Sequence, residues 1–164
     1  MILIGIGGNL DSPRFGPPRE TLSAALAALE RKGISVLARS GWYRSEPIPP
    51  SSQPWFVNAV VSVATELGAS ELLAKLQTLE TRFGRVRGER NAARILDLDL
   101  LDYEGAVTHT PTLVLPHPRL HKRRFVLVPL GRIAPDWQHP IFGVTVAQLL
   151  ARLPPDQQVE SLPC

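Results

Sequence analysis

The sequence predicts an α+β protein: a ferredoxin-like β-α-β-β-α-β plait with a C-terminal hairpin and helical extension. Three observations predict it. Four segments, at residues 2–7, 34–42, 56–65 and 95–101, are apolar runs or alternate apolar and polar residues as strands do. Two segments, Leu22-Ala25-Leu26-Leu29 and Leu72-Leu73-Leu76-Leu79-Phe83, repeat apolar residues at helical spacing. These helices fall between the strands in the order that defines the plait.

Each element has a local reason. Residues 2–7 form a buried apolar strand that ends in glycines. Residues 11–18 are rich in proline and glycine and read as a loop, and Gly33 suits the C-terminal cap of the first helix. Ile34, Val36, Ala38, Ser40 and Trp42 alternate along a second strand. Residues 46–54 hold four prolines, which predicts a loop, and residues 56–65 form the third strand. Ser70 fits the N-cap of the second helix, and Gly84 fits its end. Residues 85–94 form a basic loop before the fourth strand. Residues 105–112 read as a hairpin, and helical patterns follow at 123–133 and 145–153, the first interrupted by Pro129. The tail from about Pro154 reads as loosely held. Residues 1–164 form a single domain.

Composition narrows the class. The chain is 44% hydrophobic and 20% charged, ordinary for a globular protein. A formal net charge of +3 is too small to imply a nucleic-acid partner by itself. The sole cysteine, Cys164, excludes a disulfide or a cysteine zinc site within one chain. The apolar N-terminus is short and lacks a basic flank, and no run reaches membrane-spanning length. A cytoplasmic setting with no membrane partner is the expectation.

The fourth strand carries the most informative pair. In Arg94-Ile95-Leu96-Asp97-Leu98-Asp99-Leu100-Leu101 the two aspartates share one strand face, while Leu96, Leu98 and Leu100 point the other way. Two residues apart along a strand is about 6.6 Å. Like charges at that distance repel by roughly 2–3 kcal/mol at an effective dielectric near 20. Two aspartates on a wet strand face need mean no more than solvation. Their surroundings argue for more. Arg82, Arg85, Arg87, Arg90 and Arg94 crowd the preceding stretch. A helix dipole accounts for cations at the helix end, but Arg90 and Arg94 lie beyond it. Arginine suits planar contact with phosphate oxygens, and oxygen-only ligands suit Mg²⁺.

Two further segments carry chemistry. Leu115-Pro116-His117-Pro118-Arg119-Leu120-His121-Lys122-Arg123-Arg124-Phe125 gathers basic side chains, with His117 stiffened between prolines as a fixed donor. A solvated surface loop is the plainer reading of that run alone. His109, His117 and His121 lack the frame of a zinc site. Phe56 and Asn58 share a strand face, where an aromatic plane and an amide can stack a heterocycle and bond its edge. Gly5-Ile6-Gly7-Gly8-Asn9-Leu10 is neither a dinucleotide fingerprint nor a P-loop, and reads as a turn that ends the strand.

These segments, with Tyr43-Arg44-Ser45-Glu46-Pro47, Gln53-Pro54-Trp55-Phe56-Val57-Asn58 and Gly84-Arg85-Val86-Arg87, run in the order and spacing of a known family from Gly5 to about Pro135. The chain resembles the 6-hydroxymethyl-7,8-dihydropterin pyrophosphokinases of folate biosynthesis. The resemblance implies transfer of the pyrophosphoryl group of ATP to the pterin hydroxymethyl group, leaving AMP. It implies two Mg²⁺ ions on Asp97 and Asp99, with Arg85 and Arg94 steadying the phosphates in transfer. It places Gln77, Glu80, Arg87, Leu98, His117 and Arg123 on the ATP side. Ser45, Glu46, Ile48, Phe56, Asn58 and Phe125 fall on the pterin side. The implied protein is a monomer whose partners are ATP and 6-hydroxymethyl-7,8-dihydropterin, with no nucleic acid.

The chain departs from that family in places. Gly8 stands where serine is usual. Asn91-Ala92-Ala93 replaces a frequent Trp-Gly-Pro before Arg94, in a loop one residue shorter. Phe56 stands where tyrosine also occurs. No residue reads clearly as a general base. Two rival readings share the plait: an RNA-binding module, whose third-strand aromatic motif is missing from residues 55–61, and another Mg²⁺-dependent nucleotidyl transferase.

Overall fold

The computed structural model describes residues 1–84 and 93–163. Its centre is a six-stranded antiparallel sheet. Strand β1 (Ile2–Gly8) lies between β5 (Asp97–Tyr103) and β4 (Phe56–Ala64). The short strands β2 (Ser35–Arg39) and β3 (Tyr43–Ser45) pair with opposite ends of β4, and β8 (Val159–Ser161) continues the sheet beyond β3. Helices α1 (Pro18–Arg31) and α2 (Ala69–Arg82) join the strands in the predicted β-α-β-β-α-β order. The hairpin lies later than residues 105–112: β6 (Thr108–His109) pairs with β7 (Val114–Leu115), so residues 110–113 are its turn. The extension is a 3₁₀ turn (Leu120–Lys122), α3 (Arg124–Ile133) and α4 (Val146–Ala151).

Alternation along the strands builds two cores. Ile2, Ile4 and Ile6 of β1, Ala59, Val61 and Val63 of β4, and Leu98 and Leu100 of β5 pack with Leu22, Leu29, Leu72, Leu76 and Leu79 from α1 and α2. Leu3, Val60 and Leu101 face the other way, against Val126, Leu127 and Leu130 of α3 and Val146 and Leu149 of α4. The sheet is thus covered on both faces. The register of β5 on β1 shifts between Leu3 and Ile4, leaving Leu101 without a partner in β1. Leu101 enters the second core, and Asp102 accepts a 2.7 Å hydrogen bond from the Trp137 indole Nε1. That bond ties the loop after α3 to the edge strand.

Several boundaries differ from expectation. The single strand expected over residues 34–42 is broken, because Ser40 Oγ takes the Val60 N–H at 3.0 Å in place of a backbone acceptor. Strand β3 then begins at Tyr43, where no sequence pattern marks a new strand. Helix α2 starts earlier than Ser70 suggests: Gly68 is its N-cap, and Ser70 sits in the first turn. Gly33 behaves as expected, with a φ of 78° and bonds from Gly33 N to Glu30 O and from Ile34 N to Leu29 O that close the helix. Pro129 is accommodated inside α3. Thr145 and Gln148 form a reciprocal capping box on α4. The tail differs most. Residues 159–161 pair with β3, and Leu162 N donates to Trp42 O at 2.8 Å, so part of the segment expected to be loose lies in the sheet. Among the described residues, no helix is long and apolar enough to cross a membrane.

Asp102→Ala leaves the buried Trp137 donor unpaired, which is expected to cost about 1–3 kcal/mol of unfolding free energy. Urea denaturation of the wild type and the variant measures it.

Candidate active site

The second helical layer covers only part of its sheet face. Leu3, Val60 and Leu101 lie beneath α3 and α4. Gly5, Gly7, Phe56, Asn58, Asp97 and Asp99 line a cavity of about 320 Å³ on the remainder. Its floor is low because β1 places glycines there. A Cβ on Gly7 would sit 2.8 Å from Asn58 Oδ1, so the bare backbone is what admits the amide.

Asn58 is buried and donates through Nδ2 to Ser45 Oγ at 2.6 Å. This bond holds the Asn58 side chain in place across the β3–β4 pair. Ser45, Glu46, Ile48, Phe56 and Phe125 line the same cavity. Apolar walls around one oriented amide suit a flat heterocycle with polar edges.

A second cavity of about 540 Å³ is lined by Gln77, Glu80, Leu98 and His117. Both cavities reach Arg94, Asp97, Asp99, Arg119 and Arg123. The aspartate pair therefore stands where the two spaces meet. Arg94 Nη1 lies 3.1 Å from Asp97 Oδ1, and Arg123 Nη1 lies 4.0 Å from Asp99 Oδ2. The two carboxylate side chains are 25% and 29% exposed, so a ligand can reach both. No group of three or more His, Cys, Asp or Glu residues gathers as a metal cage among the described residues. Two carboxylates fit Mg²⁺, a hard cation that keeps several waters and takes its remaining oxygens from substrate phosphates.

The histidine is rigidly placed. His117 N donates to Leu101 O at 2.9 Å, and its Nδ1 accepts from Arg119 N at 3.1 Å. The neutral ring then carries its proton on Nε2. Burial, then the Arg123 and Arg119 charges, push its pKa down to about 4, with Asp97 opposing. Burial also lowers Arg123, and Asp99 opposes that shift.

Residues 3–135 match the family described as 7,8-dihydro-6-hydroxymethylpterin-pyrophosphokinase (HPPK). The chain belongs to this family. Three relatives are named 2-amino-4-hydroxy-6-hydroxymethyldihydropteridine pyrophosphokinase. The one from Synechocystis sp. is 41% identical over 92% of this chain and 75% of its own length. That from Methylorubrum extorquens is 42% identical over 93% and 92%. That from Pseudomonas aeruginosa is 39% identical over 99% and 96%. Among solved structures, Plasmodium falciparum HPPK-DHPS wild type with SDX-DHP aligns with a TM-score of 0.66 over 92% of this chain, at 12% identity. The chain spans 43% of that longer protein, and at this identity the likeness speaks for the fold alone.

Within the HPPK fold, the residues expected from the sequence divide cleanly. All six expected on the pterin side line the first cavity, and Gln77, Glu80, Leu98 and His117 line the second. Arg123 lines both. Arg85 and Arg87 lie outside the described residues. Glu80 also supports the sheet. Buried on α2, it accepts through Oε2 from Leu98 N at 2.8 Å and satisfies a donor on the edge strand β5. Other residues shape the site beyond those expected there: Arg119 lines both cavities, and Lys122 lines the first. Asn9 is buried; its Oδ1 accepts from Arg94 N at 2.8 Å, and its Nδ2 donates to Gln53 Oε1 and Pro54 O, both at 2.9 Å. It thereby joins the strand leading to Asp97 to the end of the proline loop. Gly8 permits this approach, since a Cβ there would lie 2.4 Å from Ile95 O. Gln157, from the tail, also lines the first cavity, and no local signal marks it.

In the ligand-free protein, the ring nitrogens of His117 are expected to titrate with a midpoint of about 4 in an NMR pH series. The sign follows from the lowered value: the stability gained by holding the ring neutral is full above its ordinary pKa and is lost as pH falls toward 4. A midpoint at the ordinary histidine value would contradict this placement.

Proposed function

We infer that the chain transfers the pyrophosphoryl group of ATP to the hydroxymethyl group of 6-hydroxymethyl-7,8-dihydropterin, giving AMP and the pterin diphosphate for folate biosynthesis. One observation carries the reading: Asp97 and Asp99 stand at the junction of an apolar cavity with an oriented amide and a polar cavity rimmed by basic groups.

The pterin lies in the first cavity, between Phe56 and Phe125. Asn58 reads its edge while Ser45 holds the amide still, and Glu46 and Ile48 close over it. ATP lies in the second cavity, with adenine near the Leu98 backbone and Gln77 and Glu80 along the nucleotide side. His117 offers a fixed Nε2–H to a phosphate oxygen. It needs no charge for this, because a neutral ring already donates. Arg94 and Arg123 meet the phosphates between the cavities, and Arg85 and Arg87 are further phosphate contacts. Asp97 and Asp99 would hold two Mg²⁺ ions. When bound, Mg²⁺ neutralises the phosphate oxygens and orients the attacking hydroxyl.

The reaction is an in-line displacement. The hydroxymethyl oxygen gives up its proton to solvent and bonds to the β-phosphorus as the bond from that phosphorus to the α–β bridging oxygen breaks, and AMP leaves carrying that oxygen. The residues' contribution is positioning and charge, which dominate phosphoryl transfer. The contacts of Arg94 with Asp97 and of Arg123 with Asp99 hold both guanidinium groups at the junction where the phosphates would lie.

The protein acts as a monomer in the cytoplasm, without nucleic acid or membrane as partner. Helices α3 and α4 cover part of the sheet face that an RNA-binding module would offer, and the open remainder carries two carboxylates.

Purified protein with ATP, Mg²⁺ and hydroxymethyl-dihydropterin is expected to release AMP only when the pterin is present. ADP as product, or no turnover, would overturn the reading. Asp97→Asn and Asp99→Asn are each expected to lower kcat by about 10²–10³-fold while the folded far-UV CD spectrum is kept. An active double variant would remove the metal role.

A further inference from the structure

We propose that Gln157 is a positioning residue of the pterin cavity, a brace supplied by the tail that sets Arg123 and Phe125. The proposal rests on the functional reading above and goes beyond it. The family match ends at residue 135, so Gln157 lies outside it.

The geometry begins with a helix end that cannot cap itself. Helix α3 starts at Arg124 after Arg123, which has no side-chain oxygen to accept a first-turn N–H. Gln157 fills the gap from a distant part of the chain. Its Oε1 accepts from Arg124 N at 2.9 Å, and its Nε2 donates to Lys122 O at 3.1 Å. Only one orientation of the amide satisfies both partners, so the network assigns it. The two bonds straddle Arg123. That residue's guanidinium faces Asp99 at 4.0 Å and lies 5.3 Å from the centre of the Phe125 ring. One amide thus fixes the backbone on either side of the arginine and just ahead of the aromatic wall.

The same tail reaches the opposite wall. Glu46 N donates to Gln158 O at 3.2 Å, and Ser45 pairs with Val159 in the β3–β8 ladder. Residues 157–159 therefore bridge the strand that carries Ser45 and Glu46 to the turn that carries Arg123 and Phe125. The width of the pterin cavity is set by a segment that supplies only one side chain to its lining. Small displacements matter in such a site, since effective positioning depends on sub-ångström geometry.

The test is steady-state kinetics on the full chain. Gln157→Ala is expected to raise the KM for hydroxymethyl-dihydropterin about tenfold, with kcat and the KM for ATP each within about threefold. The larger effect falls on the pterin because Gln157 and Phe125 line the first cavity and not the second; the smaller changes allowed in kcat and in the KM for ATP are the share carried by Arg123, which lines both. Glu160→Ala, on β8 with its side chain paired to the exposed Arg44, is expected to match the wild type. An unchanged pterin KM, or equal rises in both KM values with a lowered melting temperature, would overturn the proposal. If Gln157→Ala fails to fold, Gln157→Glu keeps the acceptor for Arg124 N–H and loses the donor to Lys122 O. It is expected to shift the pterin KM in the same direction, and a wild-type value would overturn the proposal. Hydrogen exchange at the Arg124 amide reads the brace without turnover: protection in the wild type that is lost in the variant supports it, and equal protection overturns it. A wild type that makes no pterin-dependent AMP would instead count against the functional reading.

Discussion

Two carboxylates held side by side on an edge strand are the constraint around which the site is organised. Strand alternation puts Asp97 and Asp99 on one face, while Leu98 and Leu100 are locked into the core on the other. The aspartates cannot turn away from each other without pulling leucines out of that core. Their repulsion must be met locally. Arg94, on the lead-in to the strand, faces Asp97, and Arg123, on the turn before α3, faces Asp99. Both carboxylates keep part of their surface open, so a cation is not shut out. The site is charged and partly exposed, as the proposed metal with bound phosphate requires.

The second constraint is what the helical extension leaves uncovered. Helices α3 and α4 pack on Leu3, Val60 and Leu101 and stop there. Farther along, β1 offers glycines in place of side chains, so the sheet itself becomes the floor of a binding space. Gly7 lets Asn58 lie against the backbone, and Gly8 lets the Arg94–Ile95 backbone close on β1. Asn9 then fastens both flanking loops with a single buried amide. Small residues here shape the site: they admit polar groups to places where a methyl would exclude them.

Much of this was legible in the sequence because it rests on local periodicity. The alternation at Asp97–Asp99 and at Phe56–Asn58 gives the correct faces, and the two amphipathic helices give the plait. What was not legible depends on partners remote in sequence. Strand β3 is too short to show a pattern and exists because β4 has an end to offer it. Helix α2 begins before Ser70 because Gly68 O accepts from Leu72 N at 2.9 Å, a bond that needs no polar side chain. The family resemblance places Glu80 on the ATP side, and only the fold reveals that it also holds the Leu98 amide on the edge strand. Gln157 sits in a segment rich in proline and polar residues, where composition suggests slack; its order comes from a helix terminus 33 residues earlier that needs an acceptor.

In the proposed reaction the junction delivers the β-phosphorus of ATP, and no other, to the acceptor in the first cavity. The most direct measurement follows labelled phosphorus through one turnover, using ATP labelled at the α- or the β-position in separate reactions with Mg²⁺ and hydroxymethyl-dihydropterin. The expected result is β-label in the pterin product and α-label in AMP alone. Appearance of the α-label in the pterin product would mean that the nucleotide is transferred, and would contradict the claim.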